Sequence, residues 1–330
     1  MSKYDIYGIG NALVDLVFEV DEKFLTDNQV EKGLMTLVEE DRQKELISQI
    51  KVSENMMKGG GSAANTVVAA SQFGGSSYYA CKVSNDEFGA FYLKDLATNG
   101  VDTILTEATA PEGLTGRCLV MTTPDAERTM NTFLGITSDF SVAEIDEEAI
   151  KNSTYLYTEG YLVPSQSGRD AMKKGMEIAR AHGVKVSLSF SDPSMVKFFN
   201  DEMKEVVGEG VDLLFCNEEE AMLYTATDSL LDAREALKAI AKKFVITLGQ
   251  NGAMIFDGDT FVDIEPYKVE AIDTNGAGDM FAGAFLYGIT HGHSFAESGK
   301  LASLAASKVV SQFGPRLEKA QALEVLSTLS

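Results

Sequence analysis

The second half of the chain alternates short apolar strands with helical segments, and this pattern constrains the fold more than any other feature. Strand patterns occur at 155–158, 184–189 and 211–216, and helical patterns separate them at 165–181 and 195–207. Strands that are separated by helices pair in parallel and are covered by helices on both faces. The sequence therefore predicts an α/β fold, a three-layer α/β/α sandwich with a mostly parallel central sheet.

The first half is less regular and predicts a second, smaller sheet. Residues 116–122 and 128–134 alternate like the two strands of a hairpin. Together with earlier strand patterns, they place the strands of a lid at about 15–38 and 114–136. Such a lid would lie over the main sheet and exclude water during a reaction. Because no repeat or low-complexity linker divides the 330 residues, a single domain with a lid is predicted rather than two domains.

Charge and composition argue against several kinds of partner. The chain has 28 basic and 50 acidic residues, and the resulting formal charge of −22 opposes binding to nucleic acid or to an anionic membrane. No apolar run approaches the roughly 20 residues that span a bilayer. The N-terminus enters a strand pattern without a signal-peptide core, so a cytoplasmic location is expected. The three cysteines and three histidines lack the spacing of a zinc site.

Near the C-terminus, the stretch 272–285 combines a tight turn with the start of an apolar helix. The residues at 268–272 alternate like a short strand, and Gly276 and Gly278 relieve the backbone where the chain reverses. Such a turn leaves the first N–H groups of the helix unpaired, at the positive end of the helix dipole. Asp279 would then be a base beside an anion site, as in phosphoryl transfer. Alternatively, it only caps its helix.

Four other segments each allow a ligand-binding and a purely structural interpretation. The glycines at 59–61 precede a small-residue helix in which Asn65 could bind a hydroxyl pair, or they only allow close packing. The segment 217–220 could hold hydrated Mg²⁺ or only complement a helix dipole. The turn at 249–252 could cradle a nucleotide or only reverse the chain. Asp15 follows the first strand, at the position where α/β sheets place ligand contacts. It could contact a ligand there or only be a solvated turn residue.

Two other nucleotide-dependent classes are disfavoured. Gly8 and Gly10 suggest a dinucleotide-binding turn, but Leu13 occupies the third glycine position and no helix pattern follows. The chain contains neither a Walker A run nor the His-Arg-Asp set of protein kinases. A nicotinamide oxidoreductase, a P-loop enzyme and a protein kinase are therefore poor explanations of the pattern.

In order and spacing, four motifs resemble the ribokinase-like (PfkB) family of carbohydrate and nucleoside kinases across essentially the whole chain. They are the glycine loop at 59–65, Asn217-x-x-Glu220, Thr247-x-Gly249-x-x-Gly252, and the run from Asp273 to Asp279. Asn275 resembles the adenosine kinase branch, because the sugar kinases usually carry Thr there. The resemblance implies a ribokinase-like fold and an ATP-dependent nucleoside kinase that phosphorylates the 5′-hydroxyl of a purine nucleoside, with adenosine as the first expectation. A kinase of ribose or a fructose derivative, or of inosine or guanosine, is the alternative.

The resemblance also implies a role for each matching residue. Asp279 would take the proton of the 5′-hydroxyl, and Arg128 on the lid hairpin would meet the transferred phosphate. The anion hole would be formed by Gly276, Ala277 and Gly278. The ribose would be held by Asp15, Gly60, Gly61 and Asn65. The purine would be enclosed by Met130, Thr132, Leu134 and Tyr161, of which Thr132 is the most polar departure from the adenosine kinases.

The expected cofactors follow from the same resemblance. The ATP site would be bordered by Asn217, Thr247, Gly249, Gly252 and Asn275. Mg²⁺ would be positioned through water by Asn217 and Glu220. Activation by K⁺ or another monovalent cation is usual in the family, although no motif locates that ion. The expected partners are small molecules, and the sequence leaves the assembly open between a monomer and a homodimer.

Overall fold

The computed structural model of the protein describes residues 2–33, 35–50, 56–125 and 127–329. In chain order, the first half contains β1 (Tyr4–Ile9), β2 (Leu13–Glu19), α1 (Glu22–Asp27), β3 (Met35–Leu37), α2 (Glu40–Ser48), β4 (Met57–Gly60), α3 (Ser62–Gln72), β5 (Ser77–Ala80), α4 (Glu87–Thr98), β6 (Val101–Asp102), β7 (Gly116–Thr122), β8 (Arg128–Phe133) and α5 (Glu147–Lys151). The second half continues with β9 (Ser153–Glu159), α6 (Gln166–Ala181), β10 (Lys185–Ser189), α7 (Pro193–Phe198), α8 (Asn200–Val207), β11 (Leu213–Asn217), α9 (Glu218–Thr225), α10 (Leu230–Leu237), β12 (Phe244–Thr247), β13 (Ala253–Phe256), β14 (Phe261–Ile264), α11 (Ala277–Thr290), α12 (Phe295–Val310) and α13 (Lys319–Leu326).

The main sheet has the strand order β14-β13-β12-β11-β10-β9-β1-β5-β6 within the described residues. Its strands pair in parallel from β6 to β12, and β13 and β14 are added antiparallel at one edge. Successive residues of β11 face opposite layers: Leu213 and Phe215 pack into one core with α3 and α11, whereas Leu214 packs into the other with α6 and α8. A sheet that is apolar on both faces needs helices on both. The predicted three-layer α/β/α sandwich is confirmed.

A second, smaller sheet has the order β3-β8-β7-β2-β4 among the described residues. Its β7 and β8 form the antiparallel hairpin that the alternating pattern predicts, and β2 lies parallel to β7. The sequence did not predict β4, because a four-residue strand that ends in two glycines has little strand propensity. Asp15 lies within β2, rather than just past the end of the first strand. The small sheet therefore carries Asp15 and the hairpin side by side.

The strand predicted at 268–272 is wrong. The N–H groups of Ile272 and Asp273 donate to the carbonyl of Val310 at 2.7 and 3.2 Å, so the segment follows the C-terminal end of α12 and does not extend the sheet. Five alternating residues resemble a strand whether or not a sheet edge is available to pair with them. The helix predicted at 195–207 is two helices, α7 and α8, that meet at Phe199. None of the described helices is long and apolar enough to cross a bilayer.

Candidate active site

A cavity of about 610 Å³ lies between the carboxyl ends of the main-sheet strands and the small sheet. The last residues of four adjacent strands line it: Glu159 of β9, Ser189 of β10, Asn217 of β11 and Thr247 of β12. This is the edge at which parallel α/β sheets place their ligand contacts. The residues predicted for the site that line the cavity are Asp15, Gly61, Asn65, Met130, Thr132, Leu134, Tyr161, Asn217, Glu220, Thr247, Asn275, Gly276, Ala277, Gly278 and Asp279.

Four further residues predicted for the site have other locations. Gly60 lies in β4 opposite Leu13, and Gly249 and Gly252 form the turn that joins β12 to β13. These three glycines are not among the described residues that line the cavity. Arg128 begins β8, but its side chain lies outside the part of the structure that is described. Its contact with a transferred phosphate stays a prediction.

The start of α11 is a turn held in place from two sides. The Asp273 carboxylate accepts the N–H of Asn275 at 3.0 Å and the N–H of Gly314 at 2.7 Å. Gly276, the residue before the helix, has a φ of +74° and lies against Pro315. The left-handed conformation is one that glycine adopts without steric cost. The C-terminal segment therefore fixes the turn in the conformation that starts the helix.

The N–H groups of this turn form an anion-binding surface. Within the described residues, those of Gly276 and Gly278 have no acceptor, whereas that of Ala277 donates to the Thr274 carbonyl at 3.3 Å. All three residues line the cavity, at the positive end of a 14-residue helix. Unpaired N–H groups at a helix N-terminus favour a phosphate or another anion. The geometry agrees with the anion hole that the motif predicts.

Replacing Gly276 with alanine is expected to lower the free energy of unfolding by about 1–3 kcal/mol. The new Cβ would lie 2.5 Å from both the Cβ and the carbonyl oxygen of Pro315, at a φ that alanine disfavours. Gly278→Ala is the matched control, because no atom beyond its own stretch of helix backbone lies within 4 Å of its added Cβ. Urea unfolding of both variants measures the difference. Equal stabilities would show that Pro315 does not constrain the turn.

Asp279 lies two residues into α11 and is bonded to the first turn of α3. Its Oδ1 accepts the hydroxyl of Ser62 at 2.6 Å, and its Oδ2 accepts the Asn65 amide at 2.9 Å. Burial raises the pKa of the Asp279 carboxyl to about 6, although the two hydrogen bonds and the charge of Arg316 oppose the shift. A carboxylate with this pKa is ionised at neutral pH yet is a stronger base than an exposed aspartate.

The glycine loop joins β4 of the small sheet to α3, which packs on the main sheet. A Cβ on Gly60 would lie 2.6 Å from the Asp15 carboxylate, which faces the cavity from β2. Gly61 precedes α3 and lines the cavity itself. Asn65 follows one turn later, as predicted, but its amide is bonded to Asp279 and Arg316. Asn65 therefore also holds Asp279 in position, in addition to the predicted contact with ribose.

Glu159 is a cavity residue that the sequence analysis missed. It is fully buried at the end of β9, where its carboxylate accepts the N–H of Asn11 at 2.8 Å and the N–H of Ala63 at 2.6 Å. Burial raises the pKa of the Glu159 carboxyl to about 7, although these two hydrogen bonds lower it. A glutamate directly after the apolar strand predicted at 155–158 was the signal that could have found it. Other unpredicted polar residues of the cavity are Asn11, Ser62, Thr137, Ser138, Ser165, Ser189, Ser191, Asp192 and Thr274.

Asn217 and Glu220 form a reciprocal cap at the start of α9. The Asn217 Oδ1 accepts the N–H of Glu220 at 2.8 Å, and the Glu220 carboxylate accepts the Asn217 N–H at 2.8 Å and its Nδ2 at 2.9 Å. The structural interpretation of this motif is thus realised, yet both residues also line the cavity. Burial raises the pKa of Glu220 to about 7.

The donor set at this cap fits Mg²⁺. Glu220 is only 3% exposed, and none of the described residues that line the cavity is lysine or arginine. A buried carboxylate beside an amide oxygen, without a basic neighbour in the cavity, is stabilised by a hard divalent cation that keeps its water ligands. Asn217 and Glu220 are therefore suitable for a water-mediated Mg²⁺ site.

One end of the cavity is apolar and is formed by the inner face of the small sheet. Cross-strand neighbours create two rows there, Met35 with Met130 and Val120, and Leu37 with Thr132 and Cys118. The Thr132 hydroxyl donates to the Cys118 Sγ at 3.3 Å. A polar group that is already bonded within the wall leaves the surface largely apolar. The wall suits a flat, apolar ligand group such as a nucleobase.

Comparison with known proteins agrees with this geometry. The family model described as pfkB family carbohydrate kinase matches residues 34–321. The adenosine kinase of Sinorhizobium meliloti is similar in structure with a TM-score of 0.88 at 34% identity, over 98% of this chain and 99% of that chain. A probable sugar kinase from Rhizobium etli CFN 42 gives a TM-score of 0.89 at 32% identity, over all of both chains. The adenosine kinase of Dictyostelium discoideum is 27% identical over 339 residues, which cover 95% of this chain and 96% of the relative.

These relatives are kinases of nucleosides and sugars, and they confirm the predicted fold and the predicted enzyme class, a phosphotransferase that acts on an alcohol group. The family match extends over most of the 330 residues and includes all four motifs in full. The chain therefore belongs to the pfkB family of carbohydrate kinases.

Proposed function

We propose that the protein is an ATP-dependent nucleoside kinase that transfers the γ-phosphate to the 5′-hydroxyl of a purine nucleoside, most simply adenosine. The observation that carries the proposal is the cavity itself, which has Asp279 and the N–H groups of α11 at one end and the apolar wall of the small sheet at the other. Its volume of about 610 Å³ accommodates a nucleoside beside a phosphate donor. A free sugar would leave the apolar wall unused.

The residues of the chain supply positioning, a base and charge stabilisation. Asp15 and Asn65 hold the ribose so that its 5′-hydroxyl faces Asp279. The hydroxyl oxygen forms a bond to the γ-phosphorus as the bond to the β,γ-bridging oxygen breaks, and ADP leaves. Asp279 takes the hydroxyl proton late in this loose transition state. The N–H groups of Gly276 and Gly278 stabilise the negative charge on the transferred group.

Additional positive charge is required because the described cavity lining is rich in carboxylates. When bound, Mg²⁺ neutralises charge on the phosphates, and Asn217 and Glu220 would hold it through water. Arg128 would reach the transferred phosphate from the hairpin of the small sheet. In this proposal the small sheet is the lid of a single-domain enzyme, and it excludes water when both substrates are bound.

A coupled assay of ATP consumption with Mg²⁺ and K⁺ tests the proposal over a panel of acceptors. The panel contains adenosine, inosine, guanosine, cytidine, ribose and fructose 6-phosphate. Turnover on a purine nucleoside is the expected result. Turnover on a sugar alone would replace the proposed acceptor, in line with the similarity to a probable sugar kinase, and would retain Asp279 as the base. Absence of turnover on every acceptor would overturn the proposal.

The pH dependence of kcat/KM provides a second test. Asp279 must be ionised to accept a proton, and its pKa is about 6. The rate is therefore expected to be constant above about pH 7 and to fall about tenfold per pH unit below pH 6. A rate that stays constant from pH 5 to 8 would contradict the role of Asp279.

A further inference from the structure

We propose that Arg316 is a positioning residue for this reaction, which fixes the amide of Asn65 so that its NH₂ group faces Asp279. The inference rests on the proposed function. The Nε of Arg316 donates to the Asn65 Oδ1 at 2.8 Å, and the Asn65 Nδ2 donates to the Asp279 Oδ2 at 2.9 Å. Three residues from distant parts of the chain thus form one hydrogen-bonded relay that ends on the proposed base.

The chemistry of the three groups determines the direction of the relay. A guanidinium has only donors, so the end of the Asn65 amide that meets Arg316 must be the oxygen. The NH₂ group then has to face the carboxylate, which has only acceptors when it is ionised. Without Arg316 the amide oxygen loses this donor, and only the bond to Asp279 holds the amide in its orientation. Arg316 therefore selects the amide orientation that stabilises the ionised base.

Arg316 is itself held rigidly. Its Nη1 lies 2.6 Å from the Asp95 Oδ2, and the two side chains are 11% and 22% exposed. Gly59, the first residue of the glycine triplet, leaves room for this ion pair: a Cβ there would collide with the Asp95 carboxylate and lie 2.9 Å from the Arg316 Nη1. A largely buried ion pair with good geometry keeps a fixed position and is weakly screened.

Arg316 acts through Asn65 and not on the substrate. Within the described residues it does not line the cavity, whereas Asn65 and Asp279 do. Two other contacts tie the same segment to the α11 turn, since Gly314 donates to Asp273 and Pro315 lies against Gly276. The C-terminal segment therefore positions both the turn and the base.

The other groups that face Asp279 come from α3, from β9 and from the turn that follows β9. Ser62 and Asn65 donate to it, and it lies close enough to Glu159, Tyr157 and Tyr161 to raise the pKa of each by its charge. Arg316 is the one cation among these described groups, and its charge lowers the pKa of Asp279. Removing it is expected to shift the acid limb of the kcat/KM profile to higher pH.

The test is the variant Arg316→Met, which keeps the length of the side chain and removes its charge and its donors. We expect kcat to fall roughly 10- to 100-fold and the acid limb to move up by about half a pH unit or more. Arg316→Lys keeps the charge and a single donor nitrogen, so it should restore part of both kcat and the position of the acid limb. Asp95→Asn keeps the bond from Arg316 to Asn65 and should lower kcat less than Arg316→Met.

Arg234→Met is the matched control for loss of an arginine. Arg234 packs over the ring of Phe261, at the opposite end of the main sheet, and it pairs with Glu235. Its variant should keep the wild-type kcat and pH profile. A purely structural role for Arg316 predicts lower thermal stability with an unchanged acid limb, and that result would overturn the inference.

The two hypotheses can fail separately. If the wild-type protein transfers phosphate to no acceptor, the proposed function fails. The relay is then tested by the ¹³C titration of the Asp279 carboxyl, whose midpoint should rise in Arg316→Met and not in Arg234→Met. If Arg316→Met does not fold, kcat and the titration midpoint of Asp279 are measured on Arg316→Lys instead. Wild-type values of both in that variant would overturn the inference, because an ammonium group does not reproduce the two bonds that the guanidinium makes to Asn65 and Asp95.

Discussion

Replacing Asp279 with asparagine is expected to lower kcat by up to roughly 10⁴-fold while nucleoside binding survives. The amide cannot take the hydroxyl proton, which is transferred only in the transition state, so the loss falls on kcat and not on substrate binding. The substitution is close to isosteric, and the Ser62 hydroxyl can turn to accept from the new amide while Asn65 continues to donate to its oxygen. Steady-state kinetics and nucleoside binding by calorimetry measure the two effects separately.

The same variant has a second expected effect, on stability. The pKa of Asp279 is raised from 3.8 to about 6, mainly by burial, so the folded protein binds this proton more tightly than the unfolded chain. Its contribution to the free energy of unfolding is therefore largest below about pH 4 and is lost as the pH rises through about 6. Asp279→Asn removes that loss and should be more stable than the wild type at pH 8, with a smaller difference at pH 5. Unchanged turnover would refute the role of Asp279 as the base. Equal stability of the variant and the wild type at both pH values would refute the burial of its charge.

Replacing Asp15 with alanine is expected to raise KM for the nucleoside by roughly 10- to 100-fold, with a smaller change in KM for ATP. Asp15 faces the cavity from β2 and is 9% exposed. In the proposed complex its carboxylate accepts hydrogen bonds from the ribose hydroxyls, and charge-assisted bonds of this kind contribute about 1.5–3 kcal/mol. Initial rates with each substrate varied in turn measure both constants.

Asp15→Asn is the conservative comparison, since it keeps the size of the side chain and one acceptor oxygen. It should lie between the wild type and Asp15→Ala in nucleoside affinity. Gly60→Ala should also raise KM for the nucleoside, though by less. The added Cβ would lie only 2.6 Å from the Asp15 carboxylate and would displace it. A rise in KM for ATP without a change for the nucleoside would show that Asp15 borders the phosphate donor instead.

Local sequence patterns determined the layers of the fold and the position of Asp279, the proposed base. The alternation of strands and helices specifies a parallel sheet covered on both faces, because each apolar face must be buried. Glycines followed by an apolar helix specify the turn before α11, and Asp279 lies in the first turn of that helix. These features depend on residues that are close in sequence, so their physical causes can be read from the sequence alone.

Other local patterns were ambiguous because a short segment fits more than one environment. The residues at 268–272 alternate like a strand but follow α12, since Val310 accepts the N–H groups of Ile272 and Asp273. Asn217 and Glu220 satisfy both interpretations, as a helix cap and as cavity residues. Only the arrangement of neighbouring elements decides which partners such a segment meets.

The partners of the buried polar groups were decided by the tertiary structure. Asn65 meets Asp279 across 214 residues and Arg316 across 251, and Glu159 accepts from Ala63 across 96. No periodicity relates these positions, because each contact depends on how α3, α11 and the C-terminal segment pack on the ends of the strands. A buried carboxylate or amide must find a partner, and the sequence supplies that requirement while the packing of the layers determines which residue meets it.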